Sequence, residues 1–301
     1  MGMEINMKLS TQTSYVIAKY GMEEGIRALA KAGYDAIDYS FFDMNDINDD
    51  SSPWLKDDWR ERAARAKEVA AECGITIDQA HAPFGTSSTK PGYDEKMMGR
   101  ILRAMEAASI MGVRDIVVHP RQHLPYATNV DKLFEENVAL YKSLIPYCEK
   151  WNIRVCAENM WQRDEKRKVI IHSTCARPEE FAALLDAVDS PWIVGCLDIG
   201  HCAITSVNPV DAIRILGGKR LQALHVHDVD YLDDNHNMPF TQKLDWAAIT
   251  AALAEIGYNG NFTFEADAFL WPYPMPLLPE AMAFMVKVGK YLASEVERQK
   301  Q

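Results

Sequence analysis

Val194-Gly195-Cys196-Leu197-Asp198-Ile199-Gly200-His201 is the stretch on which the reading of this chain turns. An apolar run from Trp192 to Leu197 ends in a carboxylate, and a histidine follows three positions later. This reads as a buried strand delivering Asp198 at its C-terminal tip. Gly200 is expected to turn the backbone sharply, so that His201 points back at the same spot. Aspartate and histidine side by side make a metal-ligand or acid–base pair. An aspartate at a strand end also serves as a helix N-cap, and the octapeptide alone leaves both roles open. Its weight comes from recurrence: an apolar run closed by His, Asp or Glu is repeated along the chain.

Short apolar runs at 7–10, 36–40, 75–80, 114–118, 153–157, 192–197, 221–224 and 261–264 read as strands. Helical patterns follow at 22–32, 57–72, 93–111, 130–150, from 178, 210–216, 246–256 and up to about 298, each expected to end near a glycine. Residues 41–56 and the stretch through Cys175 read as long loops. Eight strand–helix units imply a parallel sheet. In a chain of 301 residues they predict an α/β fold, a single (β/α)8 TIM barrel spanning 1–301 as one domain. An open doubly wound sheet lacks support, because no GxGxxG follows the first strand.

Composition narrows the function classes. Hydrophobic residues make up 48% and aromatics 10%, ample for a core. The net charge of −11 argues against a polyanion-binding face, so nucleic acid is not the expected partner. The six cysteines are scattered without CxxC spacing, which fits reduced thiols in the cytoplasm. Met1–Asn6 has no signal-type apolar stretch, and no run approaches a membrane span. A homo-oligomer is left open.

The strand ends offer His81, His119, Glu158, Asp198 with His201, His225 with His227, and Glu265. In a barrel these ends converge on one mouth. Burying so many ionisable groups together is costly without a cation, so one divalent metal ion is expected. Glu158, Asp198, His225 and Glu265, from strands five to eight, form the predicted ligand set, suited to Mn2+, Co2+, Mg2+ or Zn2+. Glu158 and Glu265 read alternatively as salt-bridged carboxylates. His81 and His119 read equally as ligands or as hydrogen-bonded structural histidines, and His227 as structural or substrate-facing. His123 and His172 are expected in solvated loops. Cys196 and Cys202 flank the site and are expected to pack in the core. Phe41, Phe42, Trp161, Trp271 and Tyr273 sit on mouth loops, where they would cover the C–H face of a sugar or simply pack the loops. No Gly-rich loop or Arg/Lys cluster follows strands seven or eight, which favours an unphosphorylated substrate.

QAHAPF, VVHP, CAEN, CLDIGH, LHVHD and FTFEAD, in this order, resemble the xylose-isomerase-like TIM-barrel superfamily, in particular its sugar (phosphate) isomerase/epimerase branch. The resemblance spans nearly the whole chain. It implies metal ligation by Glu158, Asp198, His225 and Glu265, with Glu158 and Glu265 as the catalytic acid–base pair. It also implies substrate contact by His201, to which His81, His119 and Trp161 are added as candidates. The implied chemistry is metal-assisted proton transfer through an enediolate on a ketose, sugar phosphate or cyclitol. One glutamate would take the α-proton and the other return it from the opposite face. Return to the neighbouring carbon would give isomerisation, and loss of a β-hydroxyl would give an inosose-type dehydration. Endonuclease IV, a trinuclear zinc AP endonuclease, belongs to the same superfamily. Its further ligands match His81, His119 and His201, and its DxH motif matches Asp234-Asn235-His236, so Asp234 and His236 are candidate additional ligands. The segment after Asp198, IGHCAITS, departs from that nuclease, which keeps this reading secondary.

Overall fold

Ten strands and ten α-helices make up a computed structural model that describes residues 7–300. The strands are β1 (Leu9–Thr11), β2 (Ala36–Ser40), β3 (Thr76–His81), β4 (Asp115–Val117), β5 (Arg154–Glu158), β6 (Trp161–Asp164), β7 (Val169–His172), β8 (Ile193–Asp198), β9 (Leu221–His225) and β10 (Phe262–Phe264). A six-stranded parallel sheet runs β2-β3-β4-β5-β8-β9, and β1 pairs with β10 in parallel. Single parallel bridges, Gln12 to Asp38 and Val226 to Phe264, join the two sheets. Val226 N–H donates to Thr263 O at 2.8 Å, and Thr13 N–H donates to Asp38 O at 3.0 Å. The ring of eight parallel strands is thereby closed, as the alternation predicts.

Period-two geometry explains the layering inside the ring. Val117, Cys156, Val194, Cys196 and Ala223 form a small apolar cluster in the barrel interior. The next inward positions toward the C-terminal ends are Glu158, Asp198 and His225. Their strands pair Glu158 with Cys196 and Asp198 with His225. The much larger apolar cluster between strands and helices reaches from Met7 to Val296.

Helix limits follow local chemistry. Gly33, at φ 104°, caps Met22–Ala32 in the left-handed region that glycine adopts without steric cost. The expected glycine stop fails at two helices, Val130–Trp151 and Pro178–Val188, which end on Asn152 and Asp189, both at φ 51°, the residues next best suited to that conformation. The 41–56 loop holds two 3-10 turns, Phe42–Met44 and Pro53–Leu55. Arg100 laces it with bonds to Met44 O at 2.8 Å, Asp46 O at 2.6 Å and Asp49 O at 2.9 Å.

Several expectations need correction. Gly200 makes no sharp turn: it lies inside a short helix, Ile199–Ile204. Residues 161–172 are not a plain loop but the antiparallel hairpin β6–β7. His172 therefore ends a strand. His123 is 13% exposed and sits 2.8 Å from Ser87 Oγ, so it is not solvated. Phe41 is buried against Tyr39 and Trp54 rather than lining the mouth. All six cysteines are free, and five are buried. Burial pushes the Cys196 thiol up to about 12, in keeping with a packing role.

Candidate metal centre and active site

Glu158, Asp198, His225 and Glu265 are brought together at the C-terminal ends of β5, β8 and β9 and just after β10. Each offers a ligand atom, and these atoms lie within 4.8 Å of one another. His225 Nδ1 is 3.1 Å from Glu158 Oε1 and 2.9 Å from Glu265 Oε2. Its Nε2 faces Asp38 Oδ2 at 3.4 Å, and Gln79 Nε2 donates to that same oxygen at 3.0 Å. An imidazole with a carboxylate behind one nitrogen, too far for a good hydrogen bond, and two more before the other has the disposition of a metal-ligating histidine. Gln12 Nε2 donates to Glu265 Oε1 at 2.5 Å.

Asp198 is a helix N-cap and also lies in the cluster that could hold a metal ion. Its Oδ1 accepts the His201 backbone N–H at 2.6 Å and so caps the Ile199–Ile204 helix. The same carboxylate belongs to the four-residue cluster. Asn159 ties the two strand ends together, donating to Asp198 O at 3.0 Å and accepting Asp198 N–H at 2.7 Å.

Two further groups flank the first. His81, Glu158 and His225 form one, and His119 Nε2 lies 3.0 Å from Glu158 Oε2. His81 Nδ1 donates to Ala82 O at 2.7 Å, and its Nε2 lies 3.1 Å from His119 Nε2 and 3.6 Å from Glu158 Oε2. His201, His227, Asp234 and His236 form the other. His201 Nδ1 bonds Asn159 O at 2.8 Å, and its Nε2 faces Asp234 Oδ2 at 3.3 Å. Trp161 Nε1 donates to that Asp234 oxygen at 3.1 Å, and His236 Nε2 lies 3.1 Å from it.

Electrostatics favour ionised carboxylates here. Burial opposes the charge of Glu158, but His225 and His119 outweigh it and hold the carboxyl well below the usual range. Burial likewise opposes the charge of Glu265, yet His225 holds it at about 2. Burial lowers His119 despite its glutamate neighbour, keeping a neutral imidazole.

A divalent ion fits these residues. Glu158 Oε2 is buried and makes no hydrogen bond, although His119 Nε2 stands 3.0 Å from it. Arg163, at the rim, is the one Arg or Lys among the described residues lining the cavity above. Three buried carboxylates and an imidazole with no compensating ammonium or guanidinium are a donor set for Mn2+, Co2+, Mg2+ or Zn2+.

That cavity, about 690 Å3, is lined by Glu158, Glu265, His81, His119, His201, Trp161, Asp234 and His236 among others. Phe42 and Trp271 line it, whereas Tyr273 packs on Phe269. His227 is fully buried and lies outside the lining. Sequence reasoning missed Gln12 and Asp38. Asp38 interrupts the Ala-Ile-Asp-Tyr-Ser strand, a signal that was present, whereas Gln12 follows the largely polar Leu-Ser-Thr strand and carried none.

The comparisons agree with this architecture. A D-tagatose 3-epimerase-like protein superposes with TM-score 0.74 at 19% identity, covering 98% of this chain and all of that one. A D-psicose 3-epimerase from Clostridium cellulolyticum H10, solved with D-tagatose, gives 0.71 at 19% identity over 95% of this chain and 99% of its own. At such identity these likenesses establish the fold. Mannonate dehydratase of Thermotoga neapolitana is 23% identical over 281 residues, 89% of this chain and 71% of its own. The chain spans only 50% and 62% of the length of two uncharacterised relatives, from Sinorhizobium fredii and Methanocaldococcus jannaschii. No helix among the described residues is long and apolar enough to cross a membrane. The pattern of one family matches residues 26–288, and the chain belongs to it: the xylose isomerase-like TIM barrel family.

Proposed function

We propose that this protein is a divalent-metal-dependent sugar isomerase or epimerase of the cytoplasm, acting as one domain on a small unphosphorylated polyhydroxy carbonyl compound. The observation that carries the reading is the placing of two glutamates, Glu158 and Glu265, on either side of His225 Nδ1 at 3.1 and 2.9 Å, both lining one cavity. Glu158, Asp198, His225 and Glu265 would hold the ion. When bound, it supplies Lewis acidity toward the substrate carbonyl and stabilises an enediolate.

The chain's own residues do the rest. Glu158 and Glu265, ionised at neutral pH, take the α-proton and return it. Gln12 holds one Glu265 oxygen, which leaves the other toward His225. His81, His119 and His201 present imidazole nitrogens to substrate hydroxyls, and Trp161 and Trp271 wall off water. The sugar 3-epimerase fold neighbours point to a ketose, and the mannonate dehydratase relative points to elimination from a sugar acid as the nearest variation.

The test is a panel of D-tagatose, D-psicose, L-ribulose and mannonate, incubated in D2O with Mn2+ and read by NMR. Solvent deuterium should enter one substrate at the carbon beside its carbonyl. Retention of no divalent metal, together with no exchange across the panel, would overturn the proposal. A second reading, an endonuclease IV-like trinuclear zinc site, is favoured by the two flanking groups of His, Asp and Glu. Three tightly bound zinc ions per chain with cleavage of abasic DNA would establish it instead.

A further inference from the structure

His227 has no part in the proton chemistry above, yet its ring is fixed on three sides. Its Nε2 lies 3.0 and 3.1 Å from the two carboxylate oxygens of Asp198. Both are acceptors, so Nε2 carries the proton and Nδ1 is the bare nitrogen, buried and without a partner. The ring stacks on His236 with centroids 4.3 Å apart and planes at 1°. Its remaining edge fills the space over Gly200, where an added Cβ would stand 2.0 Å from His227 Cε1. Gly200 is helical, so room for the ring, not freedom to turn, explains a glycine there.

We infer that His227 is a positioning residue for the metal centre: it orients the Asp198 carboxylate from behind, and Gly200 is the notch that admits it. With the His201 N–H also on Oδ1 at 2.6 Å, that oxygen has two donors and Oδ2 has one long contact. The lone pairs left to face Glu158, His225 and Glu265 are then set before an ion arrives. The inference rests on the reading of Asp198 as a ligand.

The test measures Mn2+ affinity of the metal-stripped protein by calorimetry, with melting curves of the stripped forms as the check on folding. Gln places an amide N–H near the reach of Nε2, whereas Asn falls short. His227→Gln should bind Mn2+ close to wild type, and His227→Asn should bind ~10–100-fold more weakly, the usual loss when an outer partner goes. Gly200→Ala ordinarily favours a helix, yet here it should weaken Mn2+ binding comparably by displacing the ring. Added to His227→Asn, it should cost nothing further, because the smaller side chain leaves the methyl room. Should the Asn variant fail to fold, the comparison of Gln with Gly200→Ala decides. Failure of the wild type to bind Mn2+ overturns the functional reading. A wild type that binds, with His227→Asn or Gly200→Ala binding equally well, overturns this inference alone.

Discussion

Asp198→Asn should leave the fold intact and abolish metal binding, and the reason lies in one oxygen. Oδ1 accepts the His201 backbone N–H at 2.6 Å and the His227 Nε2–H at 3.0 Å. A backbone N–H only donates, so the amide of Asn must put its carbonyl at Oδ1 and its NH2 where Oδ2 stands. A donor then faces the point on which Glu158, His225 and Glu265 converge. Asn caps a helix about as well as Asp and keeps an acceptor for the His227 N–H at Oδ1, though its NH2 comes within 3.1 Å of that donor, so the stripped protein should melt somewhat below wild type but above the Ala variant. Asp198→Ala removes the cap, worth about 0.5–2 kcal/mol. It also leaves the His227 N–H buried and unpaired, worth about 1–3 kcal/mol. Together about 1.5–5 kcal/mol, at roughly 2 °C per kcal/mol for a large domain, lowers the melting temperature by about 3–10 °C. Elemental analysis and melting curves of the two stripped variants read both effects. Full metal occupancy in the Asn variant, or coincident melting of the Ala and Asn variants, would refute the reasoning.

Glu158→Gln and Glu265→Gln should each cut turnover of the active substrate by about 10²–10⁴ at saturating Mn2+, with one variant still exchanging the substrate proton with D2O; two variants of near-full activity with metal bound would place the acid–base pair elsewhere. The metal-stripped protein should be most stable between pH 4.5 and 6.5. Burial opposes the His236 imidazolium, but Asp234 raises it to about 10, so its contribution is full below about 6.5 and is lost as pH rises toward 10. Glu265, held at about 2 by His225 against burial, contributes above about 4.5 and loses that contribution as pH falls toward 2; melting temperatures that stay flat from pH 6.5 to 10 would contradict the pairing. One helix substitution should have opposite signs at two sites. Gly99→Ala meets nothing within 4 Å and should stabilise by about 0.5–1 kcal/mol. At Gly289 an added Cβ would stand 2.3 Å from Leu9 Cδ1 and 2.9 Å from Phe264 Cε2, so overpacking of about 1–3 kcal/mol should exceed the helix gain, as melting curves would show.

What was legible in the chain, and what was not, follows the range of the interactions concerned. A strand inside a closed barrel is apolar on both faces. A carboxylate or imidazole at its C-terminal tip therefore stands out, and Glu158, Asp198, His225 and Glu265 each end or directly follow such a run. The hairpin Trp161–Asp164 with Val169–His172 was illegible because none of its residues is fully buried and its connection, Glu165 to Lys168, carries no Asn-Gly or Gly-Gly pair. Gly200 shows a different limit. A glycine between Asp198 and His201 is locally indistinguishable from a turn glycine, and its reason is a ring on the next barrel strand's end, at position 227. Asp38 broke the apolar pattern of its strand visibly and Gln12, after the polar Leu-Ser-Thr strand, did not, and the groups they face, His225 and Glu265, meet them only once the ring closes. Residues that would touch the ion could thus be read from local pattern, while those that aim them depend on contacts between strands at opposite ends of the chain. The supporting layer is therefore where substitutions guided by sequence alone would go astray, and where Gly200, Asp38 and Gln12 separate this chain's site from a bare set of four ligands.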